Sequence, residues 1–223
     1  MFGLDKHKAR ILIVDDHPIV REGLRARISS QSDMEVCGEA ADVGEALAFV
    51  KDDQPDLVIV DISLGDGNGL DLIQRMKVLH PSIVILVLSA HDESLYAERA
   101  LRAGAKGYIG KSQAQGSLLI AMRMVLESGS YLSPTLNQRL IGRALGRRAP
   151  GAPSMVSDLS NRELQVFQLI GRGRDTKAIA AELHLSPHTI DRHRENIKAK
   201  LKLKRAQELQ IVAAQWALTS EGG

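Results

Sequence analysis

The chain has 223 residues, 44% of them hydrophobic, enough for ordinary cores in two modest domains. No apolar stretch reaches membrane-spanning length, and Met1-Phe2-Gly3-Leu4-Asp5-Lys6 lacks the apolar run of a signal peptide; Cys37 stands alone, so no internal disulfide can form. The net charge of +2 hides an asymmetry: residues 1–127 hold 14 Lys+Arg against 19 Asp+Glu, residues 128–156 hold four arginines and no acid, and residues 157–223 hold 11 against 8. An acidic half points to a metal or phosphate site, and a basic half to a polyanionic partner.

In chain order, strands are predicted near 10–15, 34–40, 56–61, 83–89 and 106–110. Helical patterns fall near 18–30, 43–52, 69–79, 93–103 and 114–128. Asp42 and Asp92 suit the caps of the second and fourth helices, and Gly104 suits the C-terminal glycine of the fourth. Cys37 follows a strand-like Val36 and reads as a small core residue. The alternation predicts a doubly wound, five-stranded parallel sheet, an α/β fold of about one hundred-odd residues. Gly129 ends the fifth helix, a short helix follows near 134–146, and Arg147–Ser154 reads as a flexible linker.

The remainder is all helical in pattern. Ser160 and Glu163 form a capping box before Leu164, Val166, Phe167 and Ile170. A second helix is expected near 176–183. After the turn His184-Leu185-Ser186, Ser186 caps a helix that starts at Pro187 and runs to Leu201. A fourth runs from about 205 to 217. A short turn between two helices, the second basic, is a helix-turn-helix pattern.

Four apolar strands end in reactive groups: Asp15-Asp16, Asp61, Ser89 and, after Gly107-Tyr108-Ile109-Gly110, Lys111. Parallel sheets bind ligands outside the carboxyl ends of their strands, so these groups converge on one edge. Carboxylates suit Mg²⁺, which prefers hard oxygen donors. One carboxylate can attack phosphorus in line and form an aspartyl phosphate. Lys111 and Ser89 would then hold phosphoryl oxygens. His17 reads as an N-terminal helix residue rather than a metal ligand. His7, His80, His91, His184 and His188 have no ligand partners at telling spacing.

The ordered set Asp15-Asp16, Asp61, Ser89-Ala90, Gly104-Ala105-Lys106-Gly107-Tyr108 and Lys111 resembles the receiver domain of two-component response regulators, with the flavodoxin-like fold. The resemblance covers about 9–128. It implies that Asp61 is the phosphoacceptor and that Asp15, Asp16, Asp61 and the backbone carbonyl of Ser63 hold Mg²⁺. It also implies that Ser89 and Tyr108 form a switch pair, the hydroxyl moving to the phosphoryl group as the ring turns inward. Two positions depart from the family: Gly65 and Ser112 stand where prolines are usual. Gly65, Gly67 and Gly69 make the loop after Asp61 permissive in backbone. Ser63 and His91 are expected to flank the phosphoryl group and to position or block hydrolytic water.

Residues 159–216 resemble the LuxR-type helix-turn-helix of NarL/FixJ response regulators, through Leu159–Val166, Lys177–Leu183, Ser186–Ile197 and Lys200-Leu201. The domains expected are therefore a receiver at 9–128, a linker with a short helix at 129–157 and a DNA-binding domain at 158–218. On a helical wheel Ile190, Ile197 and Leu201 share a buried face, and Arg192, Glu195, Asn196 and Ala199 lie opposite, towards the major groove. Arg192 suits guanine, Asn196 adenine and Glu195 cytosine. Lys177, Thr189, Lys198, Lys200, Lys202 and Lys204 are expected at phosphates. His193 and Arg194 sit nearer the buried face and either pack or reach a phosphate. Asp191 and Glu195 depart from a simple basic reader. The last helix is amphipathic, and the resemblance implies that part of it contacts a second copy on DNA.

The reading is a cytoplasmic transcription regulator in which a histidine kinase phosphorylates Asp61 to control DNA binding, with a homodimer when phosphorylated or on DNA. It accepts a phosphoryl group and is not a turnover enzyme. An aspartate-nucleophile phosphatase is the alternative enzyme, but Asp15-Asp16-His17 lacks the Asp-x-Asp pattern. A phosphorelay or protein-binding adaptor whose helical domain does not read DNA is the other alternative.

Overall fold

The computed structural model describes residues 8–65, 67–144 and 156–220. His7, the N-terminal segment and the expected linker Arg147–Ser154 lie outside the described residues. The chain divides into two compact units, Met1–Arg147 and Arg148–Gly223.

The first unit opens with strand β1 (Ala9–Val14), helix α1 (Pro18–Ser29), β2 (Met34–Ala40), α2 (Val43–Asp52) and β3 (Leu57–Val60). A two-stranded hairpin, β4 (Ser63–Leu64) with β5 (Gly67–Asn68), leads into α3 (Gly69–Leu79). Then come β6 (Val84–Ser89), α4 (Glu93–Ala103), β7 (Gly107–Gly110), α5 (Ala114–Glu127) and α6 (Pro134–Ala144). Five strands form one parallel sheet in the order β2-β1-β3-β6-β7. The continuous apolar runs follow from that topology. A strand covered by helices on both faces has no solvent side, and Leu57–Val60 are all buried. Burying each such side chain contributes about 1.5–3 kcal/mol. One core layer joins Ile11, Ile13, Leu57, Ile59, Leu86 and Leu88 to Leu118, Met122 and Val125 of α5.

The caps explain why the helices start where they do. Asp42 accepts from the Glu45 N–H, Asp92 from the Ser94 N–H and Asn68 from the Leu70 N–H. Gly104 closes α4 at φ +111°, a left-handed conformation that favours glycine.

Three expectations change. The hairpin β4–β5 interrupts a stretch expected as loop; two residues per strand are too short for a periodic signal. Cys37 is half-buried rather than in the core. It sits where the register of β1 against β2 slips, between the pairs Ile11–Val36 and Leu12–Gly38, at a sheet-edge bulge. The segment after α5, expected to lead into a linker, stays on this unit. The Tyr131 N–H donates to the Lys106 carbonyl at 2.9 Å, and Leu136 of α6 is buried.

The second unit contains α7 (Asn161–Gly171), α8 (Thr176–Glu182), α9 (Pro187–Leu201) and α10 (Ala206–Ser220). Ser160 and Glu163 form the expected capping box, and Ser186 caps α9 with Pro187 in its first turn. Phe167 of α7 meets Trp216 of α10 edge to face, centroids 5.5 Å apart. Ile190 and Ile197 are fully buried, while Leu201 is only half-buried.

Candidate functional site

The acidic groups reach one sheet edge because backbone hydrogen bonds extend the strands by one residue. The Asp15 N–H donates to Ala40 O at 3.2 Å, the Asp61 N–H to Val14 O at 2.9 Å and the Lys111 N–H to Ser89 O at 2.7 Å. Asp15 and Asp61 are buried, 2% and 3% exposed, while Asp16 is half-buried. Lys111 Nζ donates to Asp15 Oδ2 and to Asp61 Oδ2, each at 2.7 Å. The other Asp61 oxygen, Oδ1, accepts from the Ile62 N–H at 2.7 Å. Burial pushes the Asp61 carboxyl above its ordinary range, and Lys111 pulls it partly back. Burial pulls the Lys111 ammonium down, but Asp61 and Asp15 outweigh this and hold it above its ordinary value.

The carboxylates can hold a cation. Single ligand atoms of Asp15, Asp16, His17 and Asp61 all lie within 4.8 Å of one another. Asp16 Oδ1 is buried without a well-directed hydrogen bond, although His17 Nδ1 lies 2.7 Å away. An unsatisfied buried carboxylate oxygen beside two further carboxylates is the donor set that a small hard cation takes.

Two loops frame this edge. Ser63 of β4 and His91, after β6, meet across it, Ser63 Oγ to His91 Nε2 at 2.8 Å. The His91 ring stacks on Tyr96 of α4, centroids 4.5 Å apart. Ser89 is fully buried, and its Oγ accepts from the His91 N–H at 3.3 Å. The Tyr108 ring, expected to turn inward on switching, is already fully buried, and its hydroxyl donates to the His91 carbonyl at 2.7 Å. Burial pushes that hydroxyl well up, so it stays a donor.

Two further residues shape this site, and no sequence motif assigns either of them to it. Arg21 donates from Nη1 to the Asp15 carbonyl at 2.6 Å and from Nε to Glu39 at 3.3 Å, bracing the β1–α1 loop from β2. Its partner lies 18 positions away, so no local pattern exposes it. Gly69 is the other. A Cβ there would lie 2.0 Å from the Asp61 carbonyl oxygen, so the start of α3 can pass behind Asp61 only as glycine.

In the second unit, Arg192, Glu195, Asn196 and Ala199 are all exposed on one face of α9, and Lys177 is exposed on α8. Others of the basic set are engaged. Lys198 Nζ lies 2.9 Å from Glu195, one turn away. Thr189 Oγ1 shares a hydrogen bond with the Ser186 hydroxyl at 2.8 Å. Lys200, expected at a phosphate, donates instead to Glu163 Oε2 at 2.6 Å. Glu163 is buried, so the contact ties α9 to the cap of α7. Burial alone would push the Glu163 carboxyl up; Lys200 and Ser160 outweigh it and hold it below its ordinary 4.5. Lys200→Met is therefore expected to cost about 1–2 kcal/mol, since one partner is part-exposed. With Glu163 depressed, that stability is present above pH 4.5 and disappears as pH falls through the lower folded value. Thermal melts followed by the fluorescence of Trp216, the one tryptophan, check both effects in the unit concerned. Equal melting of wild type and variant near neutral pH contradicts them.

Comparison with known proteins identifies both units. Residues 11–123 match the family model described as response regulator receiver domain, and residues 157–213 match that of bacterial regulatory proteins, luxR family. The chain is 36% identical over 204 residues to the oxygen regulatory protein NreC of Staphylococcus haemolyticus, covering 90% of this chain and 94% of that one. Among solved structures, it is similar to a two-component response regulator of the LuxR family from Aurantimonas sp. SI85-9A1, at TM-score 0.57 and 34% identity. That match covers 62% of this chain and 99% of the other. RcsB of Salmonella enterica serovar Typhimurium, bound to promoter rprA in the presence of the phosphomimetic BeF3-, shares the fold at TM-score 0.61 and 24% identity, covering 93% of this chain and 99% of that one.

Proposed function

Since the chain belongs to the LuxR-type response regulators, DNA-binding proteins with a receiver domain, we propose that phosphorylation of Asp61 by a histidine kinase controls its binding to DNA. The observation that carries this is the buried Asp61 carboxylate sharing one ammonium with Asp15 at the sheet edge. An Asp61 oxygen attacks the phosphorus of a phosphohistidine. The new bond is P–O, the broken one P–N, and the departing imidazole takes up a proton. Asp15, Asp16, Asp61 and the Ser63 carbonyl would hold Mg²⁺, which neutralises charge on the transferring oxygens when bound. Lys111 gives up one carboxylate contact and pairs with a phosphoryl oxygen. Ser89 offers its hydroxyl to another, and Tyr108, seated beside it, senses the change through the His91 carbonyl. The chain accepts and loses a phosphoryl group without turning over a separate substrate. No described helix is long and apolar enough to cross a membrane, and a cytoplasmic location suits a kinase-fed DNA binder.

On the DNA side, Arg192, Glu195 and Asn196 read base edges from the exposed face of α9. Lys177 contacts a phosphate. Lys198 and Lys200 reach phosphates only by leaving Glu195 and Glu163, and Thr189 by leaving Ser186. Phosphorylation favours a homodimer on paired half-sites. The adaptor reading is weaker, because the exposed face of α9 keeps Arg192 and Asn196 side by side in a reading position.

The test is binding to a pool of genomic fragments at fixed salt with Mg²⁺, with and without a small phosphodonor. Selective binding that tightens with donor is expected, and Asp61→Asn removes the tightening. Arg192→Ala should cost about 1–3 kcal/mol and relax the selected site at one position. Lys177→Ala should weaken all sites alike and lower the salt slope by about 1. No selective binding under either condition favours the adaptor.

A further inference from the structure

His17 lies between the two metal-side aspartates and the first helix, and its ring contacts those aspartates rather than capping the helix. It is the N-cap residue of α1, yet its side chain makes no capping hydrogen bond. A capping side chain would accept from the amides of the first turn. The His17 ring instead points the other way, with Nδ1 2.7 Å from Asp16 Oδ1 and 3.2 Å from Asp15 Oδ1. The backbone sets this direction: extended dihedrals at His17 and an N–H bond to Asp15 Oδ1 at 2.9 Å fold the residue back over the carboxylates. The ring is more than half exposed, so it can adjust without disturbing the core.

We infer that His17 is a nitrogen ligand of the cation site, making this receiver a site for first-row divalent ions as well as Mg²⁺. The inference rests on the reading of the acidic edge as a cation site. The four ligand atoms lie within 4.8 Å of one another, close to the separation of about 4.2 Å that two opposite donors take around one ion with bonds of about 2.1 Å, so a small inward shift brings them onto it. Three carboxylates alone make a hard oxygen set suited to Mg²⁺ and Mn²⁺. An imidazole nitrogen adds little for Mg²⁺ but favours Co²⁺, Ni²⁺ and Zn²⁺. Lys111 holds Asp15 and Asp61 by their Oδ2 atoms, so Asp15 Oδ1, which accepts from the His17 N–H, is the oxygen nearest the His17 ring.

The test uses the full chain and three ions. Bound Mn²⁺ is examined by electron spin-echo spectroscopy for coupling to a ¹⁴N nucleus, and Co²⁺ and Mg²⁺ affinities are measured by calorimetry. Wild type is expected to show nitrogen coupling that His17→Gln abolishes. The same substitution should weaken Co²⁺ by about 10-fold and Mg²⁺ by less than about threefold. Circular dichroism confirms that the variant folds. Mn²⁺ bound without nitrogen coupling, or coupling that survives His17→Gln, overturns the inference while leaving the cation site standing. No binding of any of the three ions overturns the cation site and the inference with it.

Discussion

Gly69→Ala is expected to destabilise the receiver by about 3 kcal/mol and to slow phosphorylation of Asp61 by about 10-fold or more. The added methyl group would sit 2.0 Å from the Asp61 carbonyl oxygen and 2.8 Å from the Ile62 Cα. Both are backbone atoms, so no rotamer change relieves the clash. Either α3 moves out or the end of β3 does. The Gly69 N–H, which donates to the Ile62 carbonyl at 2.8 Å, opposes the first movement. The second carries the phosphoacceptor away from Lys111. A displacement near 1 Å at a reacting group costs up to about 100-fold in rate. Gly116→Ala is the matched control. That glycine lies in α5 with nothing within 4 Å of an added Cβ, and alanine there should stabilise by about 0.5–1 kcal/mol. Melting followed by circular dichroism, with labelling from a small phosphodonor, reads both effects. Equal behaviour of the two alanine variants would show that the strand end yields freely.

Asp61→Asn has the larger chemical effect: phosphoryl label should fall to background. An amide is not a competent nucleophile, because its nitrogen lone pair is delocalised and it carries no negative charge. The variant should nonetheless fold as well as wild type, or better by about 1 kcal/mol. Burial already pushes the Asp61 carboxyl up, which means the folded state disfavours the charge there. The amide removes repulsion with Asp15 and leaves Lys111 paired to that neighbour. Lost label with an unchanged or raised melting temperature assigns Asp61 to function. Lost label with a collapsed melt assigns it to structure, and label that persists moves the phosphoacceptor elsewhere.

The sheet strands were legible because a two-sided parallel sheet demands uninterrupted apolar residues, and Leu57–Val60 or Ile85–Leu88 can mean little else between helical patterns. The helix starts were legible because caps are local: Asp42, Asp92, Ser160 and Ser186 each bond to an amide two or three residues ahead. The convergence of Asp15, Asp61 and Lys111 followed from topology, since parallel strands present their carboxyl ends on one side.

Contacts across the fold were not legible. Lys200 looked like a phosphate ligand because its neighbours are basic, and only the packing of α7 on α9 brings Glu163 to it, 37 positions earlier. Arg21 meets Asp15 only because β2 lies beside β1 and supplies Glu39. The sequence places His17 at a helix start, and the direction of its ring depends on backbone dihedrals that no residue pattern records. Local propensity, periodicity and strand-end chemistry thus determined the fold, the two domain types and the acidic site. The tertiary structure alone decided which charges face solvent and which are already paired, because an ion pair is set by distance in space and sequence reports only distance along the chain.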